Sequence, residues 1–219
     1  MELELLYFNI AGKGEAIRLA CAYAGLNLKD TRLSRDEFVA LKESGQLPYG
    51  QVPQLVINKG EGRISQSAAI MRYIGRLAPE EVLYPSDLLK AAFVDSIIDQ
   101  ENDLFTGLSV SRYRGRFGFE SIGNPGDPVF DQVRKDLNDE VLPRHLSSFE
   151  RIMQNSTTGW VAGTPNPTIA DFILVPRLQW LANHGEGISL DILKPYPGLL
   201  ALVDKLLNLP AIKSYYAKA

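Results

Sequence analysis

Cysteine occurs once in this 219-residue chain, at Cys21. That excludes an internal disulfide and any Cys-x-x-Cys redox pair. Cys21 sits in an apolar helical run with Ile17, Leu19, Ala20, Tyr23 and Ala24, so it reads as packing rather than chemistry. Histidine is nearly as scarce. His145 and His184 stand far apart, and without a second cysteine they make no zinc set, so no metal site is expected. No apolar run approaches the ~18 residues of a membrane-spanning helix. Glu2 and Glu4 stand where a signal peptide would carry positive charge. The expected location is therefore cytoplasmic, with no membrane partner. A basic excess is also missing: 23 Lys and Arg face 26 Asp and Glu, for a net charge of -3 and a pI near 5.5. A nucleic-acid binder would usually carry a basic stripe, so none is expected as partner. No internal repeat or low-complexity tract is visible. Hydrophobic residues, at 45%, suffice for a core, and the length allows one large domain or two modest ones.

The first part of the chain alternates short apolar runs with helical spacing. Residues 3–8 (LELLYF) read as a buried strand, 9–14 as a glycine-bearing loop, and 15–24 as a helix stopped by Gly25. Residues 28–33 read as a second strand and 35–43 as a short helix. Runs at 54–58 and 62–65 flank a Lys59-Gly60-Glu61 turn and form a hairpin. A helix opened by Ser65-Gln66-Ser67 and carrying Ala68, Ile70, Met71 and Ile74 follows. The order β-α-β-α-β-β-α, with Pro53 before the third strand, is the thioredoxin-like arrangement.

The segment 47–76 concentrates the binding features. Pro53 heads a strand, where a missing N–H costs least, and a Val52-Pro53 bond can be cis. Val52 would then present a free N–H and C=O to an extended peptide. Beside it, a helix N-terminus bearing two hydroxyls and an amide is a carboxylate site. A backbone docking edge next to an anion pocket suits a short acidic peptide. Thioredoxin-like folds place their chemistry after the first strand, which here ends in Tyr7. A tyrosine hydroxyl donates one hydrogen bond while keeping its proton at neutral pH, and so favours a thiolate over a thiol. Lowering a thiol pKa by ~2 units takes about 2.7 kcal/mol. One charge-assisted hydrogen bond contributes about 1.5–3 kcal/mol.

Gln51-Val52-Pro53 followed by Gln66-Ser67, together with Tyr7-Phe8-Asn9, Gly12, Glu15 and Ile17-Arg18, resembles the tyrosine-type cytosolic glutathione transferases, most of all the sigma class. The resemblance implies an α/β thioredoxin-like N-terminal domain at 1–78, a linker at 79–87, and an all-α C-terminal domain at 88–219. It implies glutathione as co-substrate and no other cofactor. Tyr7 would hold the thiolate, and Phe8 belongs to the same motif. Val52, following Gln51 and preceding Pro53, would pair with the cysteinyl backbone. Gln66 and Ser67 would hold the γ-glutamyl carboxylate, and Lys42 the glycyl one. Two positions depart from the family pattern. Phe38 stands where many relatives have a tryptophan, and Lys13 where sigma-class relatives often have arginine, a loss of a planar fork. Asp99, in Val94-Asp95-x-x-x-Asp99, would reach the γ-glutamyl amine in a neighbouring subunit, so the expected assembly is a two-fold homodimer.

After the proline-bearing 79–87 the spacing is helical throughout. Long helices are expected at 88–116 and 129–155, separated by the Gly/Pro-rich 117–128. Thr168-x-x-Asp171 reads as a capping box opening the next helix. Shorter helices are expected at 196–207 and 211–216. The second substrate, a small hydrophobic electrophile, is expected between the halves, at Ile10, at the helix face of Thr106, Ser109 and Tyr113, and at the tail near Tyr215. Arg112, Arg114 and Arg116 read as solvated charges near a helix C-terminus, with preference for an anionic co-substrate as the alternative. The implied function is conjugation of glutathione to electrophiles. Isomerisation of prostaglandin-type substrates, peroxide reduction and a non-catalytic carrier on the same fold are the alternatives.

Overall fold

Strand β1 (Leu3–Phe8) carries the sheet. In the computed structural model, which describes residues 1–79, 82–184 and 186–218, it pairs in parallel with β2 (Leu28–Leu33) and antiparallel with β3 (Gln54–Ile57). Strand β4 (Gly62–Ser65) completes the order β2-β1-β3-β4. Parallel β1 and β2 need a crossover, and helix α1 (Gly12–Ala24) supplies it. Helix α2 (Arg35–Glu43) leads from β2 towards β3, and α3 (Ser67–Leu77) follows β4. Alternation along β1 divides its side chains between two faces. Leu3, Leu5 and Tyr7 enter the main core with α1 and α3, whereas Leu6 joins Leu33 and Val56 in a small cluster that Leu41 of α2 covers.

The remainder is helical: α4 (Leu88–Arg112), α5 (Arg114–Phe117), α6 (Pro128–Asp136), α7 (Leu142–Asn155), α8 (Ile169–His184), α9 (Pro197–Leu207) and α10 (Pro210–Tyr216). Helix α8 is apolar nearly all round, which marks a helix enclosed by others. It packs against α4, α9, α3 and, across the junction, α1. One continuous apolar core therefore runs from Leu3 to Ile212. Cys21 lies within it, and burial pushes its thiol up to about 12.

Several boundaries differ from the sequence expectation for identifiable reasons. The helix expected at 88–116 ends at Arg112, because Tyr113 leaves helical geometry (φ -108°, ψ 38°) before α5. The helix expected at 129–155 begins with Pro128 in its first turn and is interrupted by a π turn at Leu137–Val141. Pro143 lacks an N–H and crowds the carbonyl one turn before it, and widening to a π turn relieves that conflict. Helix α1 starts at Gly12, inside the expected loop, with Glu15 N–H donating to the Ala11 carbonyl (2.9 Å). Strand β3 stops at Ile57, because Asn58 and Lys59 both take positive φ in a tight turn. Ser65 ends β4 rather than opening a helix, and α3 begins at Ser67. Of the expected linker, residues 80 and 81 lie outside the described residues. Its remainder is no loose tether: Leu83 and Tyr84 are buried, and the Leu83 carbonyl accepts from Ile169 N–H at 2.9 Å.

Asp171 is wholly buried at the start of α8, where it accepts from Val161 N–H (2.8 Å), Thr168 N–H (2.7 Å) and the Thr168 hydroxyl (3.1 Å). The capping box is thus half formed. The acid binds the cap residue's N–H as expected, but the hydroxyl donates to the acid instead of capping the helix. Burial raises this carboxyl from 3.8 to about 6, against the opposing pull of its donors. A raised acid is held best when protonated, so its contribution is complete below pH 4 and is lost as pH rises through about 6. Asp171→Ala, which strands two buried N–H groups, is expected to destabilise the fold by roughly 2–5 kcal/mol in a urea titration. Between pH 4 and 6, wild type should lose stability relative to Asp171→Asn; parallel pH profiles would refute the assignment.

Candidate active site

Tyr7 points from β1 towards the first turn of α1 and is almost fully buried. Its phenol oxygen accepts the Lys13 N–H at 3.0 Å. The close approach depends on two glycines. A Cβ at Gly14 would lie 2.5 Å from Tyr7 Cδ1, and one at Gly12, whose φ is +42°, would lie 2.5 Å from the hydroxyl. Burial raises the phenol pKa, the Lys13 N–H opposes it, and the net shift is upward. Tyr7 therefore keeps its proton at neutral pH. With one hydrogen bond already accepted, its O–H remains to be donated.

Behind this turn lies Arg18, a residue that spacing alone gave no reason to single out. Its guanidinium is buried and donates to the Ile10 carbonyl (2.9 Å), Glu15 (3.2 Å) and Asp30 (3.0 Å), with its carbon 5.7 Å from the Tyr7 ring centroid. It ties the loop between β1 and α1 to β2. Tyr215 lies within the field of the same Glu15, Arg18, Arg32 and Asp30 group.

The Val52-Pro53 bond is cis. Val52, half-buried, has no backbone partner within the described residues for either its N–H or its carbonyl. The start of α3 is equally open. Gln66 takes φ 75°, uncommon for a residue other than glycine, and gives no side-chain cap. The first intrahelical bond is Ile70 N–H to the Gln66 carbonyl (3.0 Å), so the N–H groups of Ser67, Ala68 and Ala69 are orphan donors. Lys42 is exposed, and its stem crosses Gly50, where a Cβ would lie 3.3 Å from Lys42 Cε, one residue from Gln51. Phe38 packs on Phe8 with ring centroids 5.1 Å apart and planes tilted by 59°, and the Phe8 ring lies 5.9 Å from that of Tyr7. Asp99 of α4 is largely exposed and stands 3.5 Å from Arg72 of α3, whose Nε pairs with Asp95 at 2.7 Å.

On the α4 side, Tyr113 is half-exposed, as is Ile10 in the loop before α1. Thr106 shares the face of Tyr113 but gives its hydroxyl to the Asn102 carbonyl (2.8 Å). Sequence reasoning missed the strongest charges here. Arg177 of α8 donates Nε to buried Glu101 of α4 at 2.8 Å and lies over the Phe105 ring at 4.5 Å. Burial raises the Glu101 carboxyl, opposed by Arg177 and Lys13. Lys13 reaches solvent yet is crowded by the cleft; that desolvation, then Arg177, lowers its pKa. Two cations, Lys13 and the Glu101-paired Arg177, therefore act on one another near Tyr7. A signal was present: Glu101 interrupts the stripe of Val94, Ile97, Ile98, Leu104 and Leu108, and Arg177 interrupts IADFILVPRLQWL.

The chain is similar to known proteins along nearly its whole length. Residues 3–76 match the family described as "Glutathione S-transferase, N-terminal domain", and residues 126–219 match "Glutathione S-transferase, C-terminal domain". A relative from Ascaris suum, "Glutathione S-transferase 1", is 33% identical over 218 residues, covering 99% of this chain and 96% of its own length. The solved prostaglandin synthase D of Nilaparvata lugens is 28% identical with a TM-score of 0.83, covering all of this chain and 98% of that one. The monomeric Na-GST-3 of Necator americanus is 25% identical with a TM-score of 0.73, covering 100% of this chain and 97% of that one. With a thioredoxin-like sheet, a helical second half and full-length similarity of this degree, the chain belongs to the glutathione S-transferase family.

Proposed function

We propose that this transferase activates glutathione through the Tyr7 hydroxyl. The observation that carries the proposal is the buried phenol, fixed by Lys13 N–H and the two glycines, with one O–H left to donate. Residues 1–78 hold glutathione, 79–87 connect, and 88–219 contribute the second-substrate wall. Val52 pairs with the cysteinyl backbone beside Gln51 and Pro53. Gln66, Ser67 and the orphan N–H groups of α3 hold the γ-glutamyl carboxylate, and Lys42 the glycyl one. Phe38 supports Phe8 by packing but donates no hydrogen bond. The thiol proton passes to water and the Tyr7 O–H stabilises the remaining thiolate. Its sulfur lone pair then forms a bond to an electrophilic carbon, and the displaced electron pair departs with the leaving group. No covalent bond to the protein forms. Rate comes from a stabilised nucleophile held beside its target. Glutathione is a co-substrate, and the chemistry calls for no other cofactor.

The electrophile lies among Ile10, Thr106 and Tyr113. Lys13 and Arg177 favour one that carries a carboxylate, which also supports glutathione-dependent isomerisation of a prostaglandin-type substrate, in line with the likeness to a prostaglandin synthase. Among the described residues no helix is long and apolar enough to cross a membrane, and we assign the protein to the cytoplasm.

A homodimer completes the site, with Asp99 reaching the γ-glutamyl amine held by the partner. Leu88 and Leu89 of α4 are 86% and 81% exposed, Phe93 lies one turn further, and Tyr49 projects beside the docking segment. Apolar side chains grouped in this way mark an interface. Sedimentation equilibrium should give a dimer, and Leu89→Glu together with Phe93→Glu a monomer of reduced activity. A wild-type monomer would overturn the assembly.

Activation is tested by the ultraviolet absorbance of bound glutathione thiolate between about pH 5 and 9. Tyr7→Phe should raise the apparent thiol pKa by about one unit or more, since the lost hydrogen bond contributes ~1.5–3 kcal/mol, while glutathione still binds. An unchanged thiolate titration in the variant would refute the role of Tyr7.

A further inference from the structure

Two cavities, of about 740 and 600 Å³, lie against α6, its π turn and the segment following α8. Neither is lined by Tyr7, Val52 or Ser67, so both stand apart from the glutathione site. The smaller is unusual in its charge. Arg112, Arg114, Arg134 and Lys135 line it, against the carboxylates of Asp131 and Glu186.

These cations are not equally satisfied. Arg112 pairs with Glu186 at 3.1 Å, and Lys135 with Asp139. Arg114 binds only neutral oxygens, the Asn124 side chain and the Ser111 carbonyl (3.4 Å). Arg134 is 5% exposed, and its guanidinium donates to the Ser111 hydroxyl at 2.8 Å, while its Nε is buried without a partner. Among the described residues neither Arg114 nor Arg134 has an ion pair. A guanidinium held out of water is costly without a paired anion, and the Glu186 carboxylate that acts on Arg134 is already engaged by Arg112. The chain nevertheless builds the site with care. Gly187 takes φ +83° and packs on the Arg134 stem, where a Cβ would come within 3.0 Å of Cγ. Asn138, in the π turn, donates to the Gly187 carbonyl (2.7 Å) and accepts from Ser189 N–H (2.7 Å), which pins that segment over the arginine. The Phe130 ring lies 4.7 Å below the guanidinium carbon, an apolar wall within the same cavity.

We propose that this cavity is a second ligand site, for a small organic phosphate monoester. Two unpaired guanidiniums match the two charges of such a group, and their planar forks match its oxygens. The volume exceeds what an inorganic ion fills, and Phe130 and Pro125 supply a surface for the organic part. The Asp131 carboxylate, which accepts Gly126 N–H at 3.2 Å, limits the charge that can be drawn in and disfavours a more extended polyanion.

The test is calorimetric titration of the whole protein with phenyl phosphate, with inorganic phosphate and phenol as comparison probes. Phenyl phosphate is expected to bind saturably below about 1 mM, and phenol not at all. Inorganic phosphate is expected to bind more weakly, by the loss of the ring contact. Arg114→Gln, at a half-buried position, and Arg134→Gln should each weaken phenyl phosphate about tenfold or more while glutathione binding is unchanged. Arg114→Gln keeps the test decisive if Arg134→Gln fails to fold. The proposal is overturned by the absence of saturable binding, by affinity unaffected in Arg114→Gln, or by displacement of phenyl phosphate with saturating glutathione, which would place it before Tyr7.

Discussion

Helix α1 is enclosed on all sides from Gly14 to Cys21, and the molecule is arranged around that constraint. Its inner surface meets the sheet and α3, and its outer surface meets α8 and α10. An element buried over eight consecutive residues cannot be amphipathic in the usual sense. It must be sandwiched, and only the helical half of the chain can supply the second layer. The two halves consequently share one core, which explains why Leu83 and Tyr84 of the connecting segment are buried instead of trailing through solvent. The same constraint aims the site. The first turn of α1 is pressed on Tyr7 through two glycines, so the position of the hydroxyl is set by the packing of the whole interior.

Charge placement follows the same division. On the sheet side, the open donors include backbone groups, the start of α3 and the unpaired amide of Val52, beside the exposed Lys42 side chain. On the helical side they are side chains, Arg177 above all, held by the buried Glu101. Backbone donors cannot vary with the sequence, whereas side-chain donors can. The arrangement thus keeps the backbone donors of the sheet half constant in kind and leaves the side-chain donors of the helical half open to change by substitution.

Much of this was legible in the residues. The strand and helix order through residue 77, the proline before β3 and the tyrosine near the end of β1 all carry local signals, and local signals survive folding. What escaped was non-local. Nothing near Arg18 in sequence says that it will bridge Ile10, Glu15 and Asp30. Glu101 and Arg177 are 76 residues apart and meet only because α4 and α8 pack together. Each does break an apolar pattern, which is as much as sequence can reveal of a buried pair. The π turn at Leu137–Val141 was foreshadowed by Pro143, yet the distortion falls one turn before the residue that causes it.

The single thiol of the chain gains significance from its surroundings. Electrophiles and glutathione conjugates pass within the same molecule that carries Cys21, and a cysteine reacts with such partners only as an accessible thiolate. Cys21 has neither property, being enclosed in α1 with its pKa pushed up to about 12. The chain's single thiol is thereby protected from the electrophiles the protein handles. Every reactive sulfur at the site belongs to glutathione and leaves with the product, so turnover does not consume the catalyst.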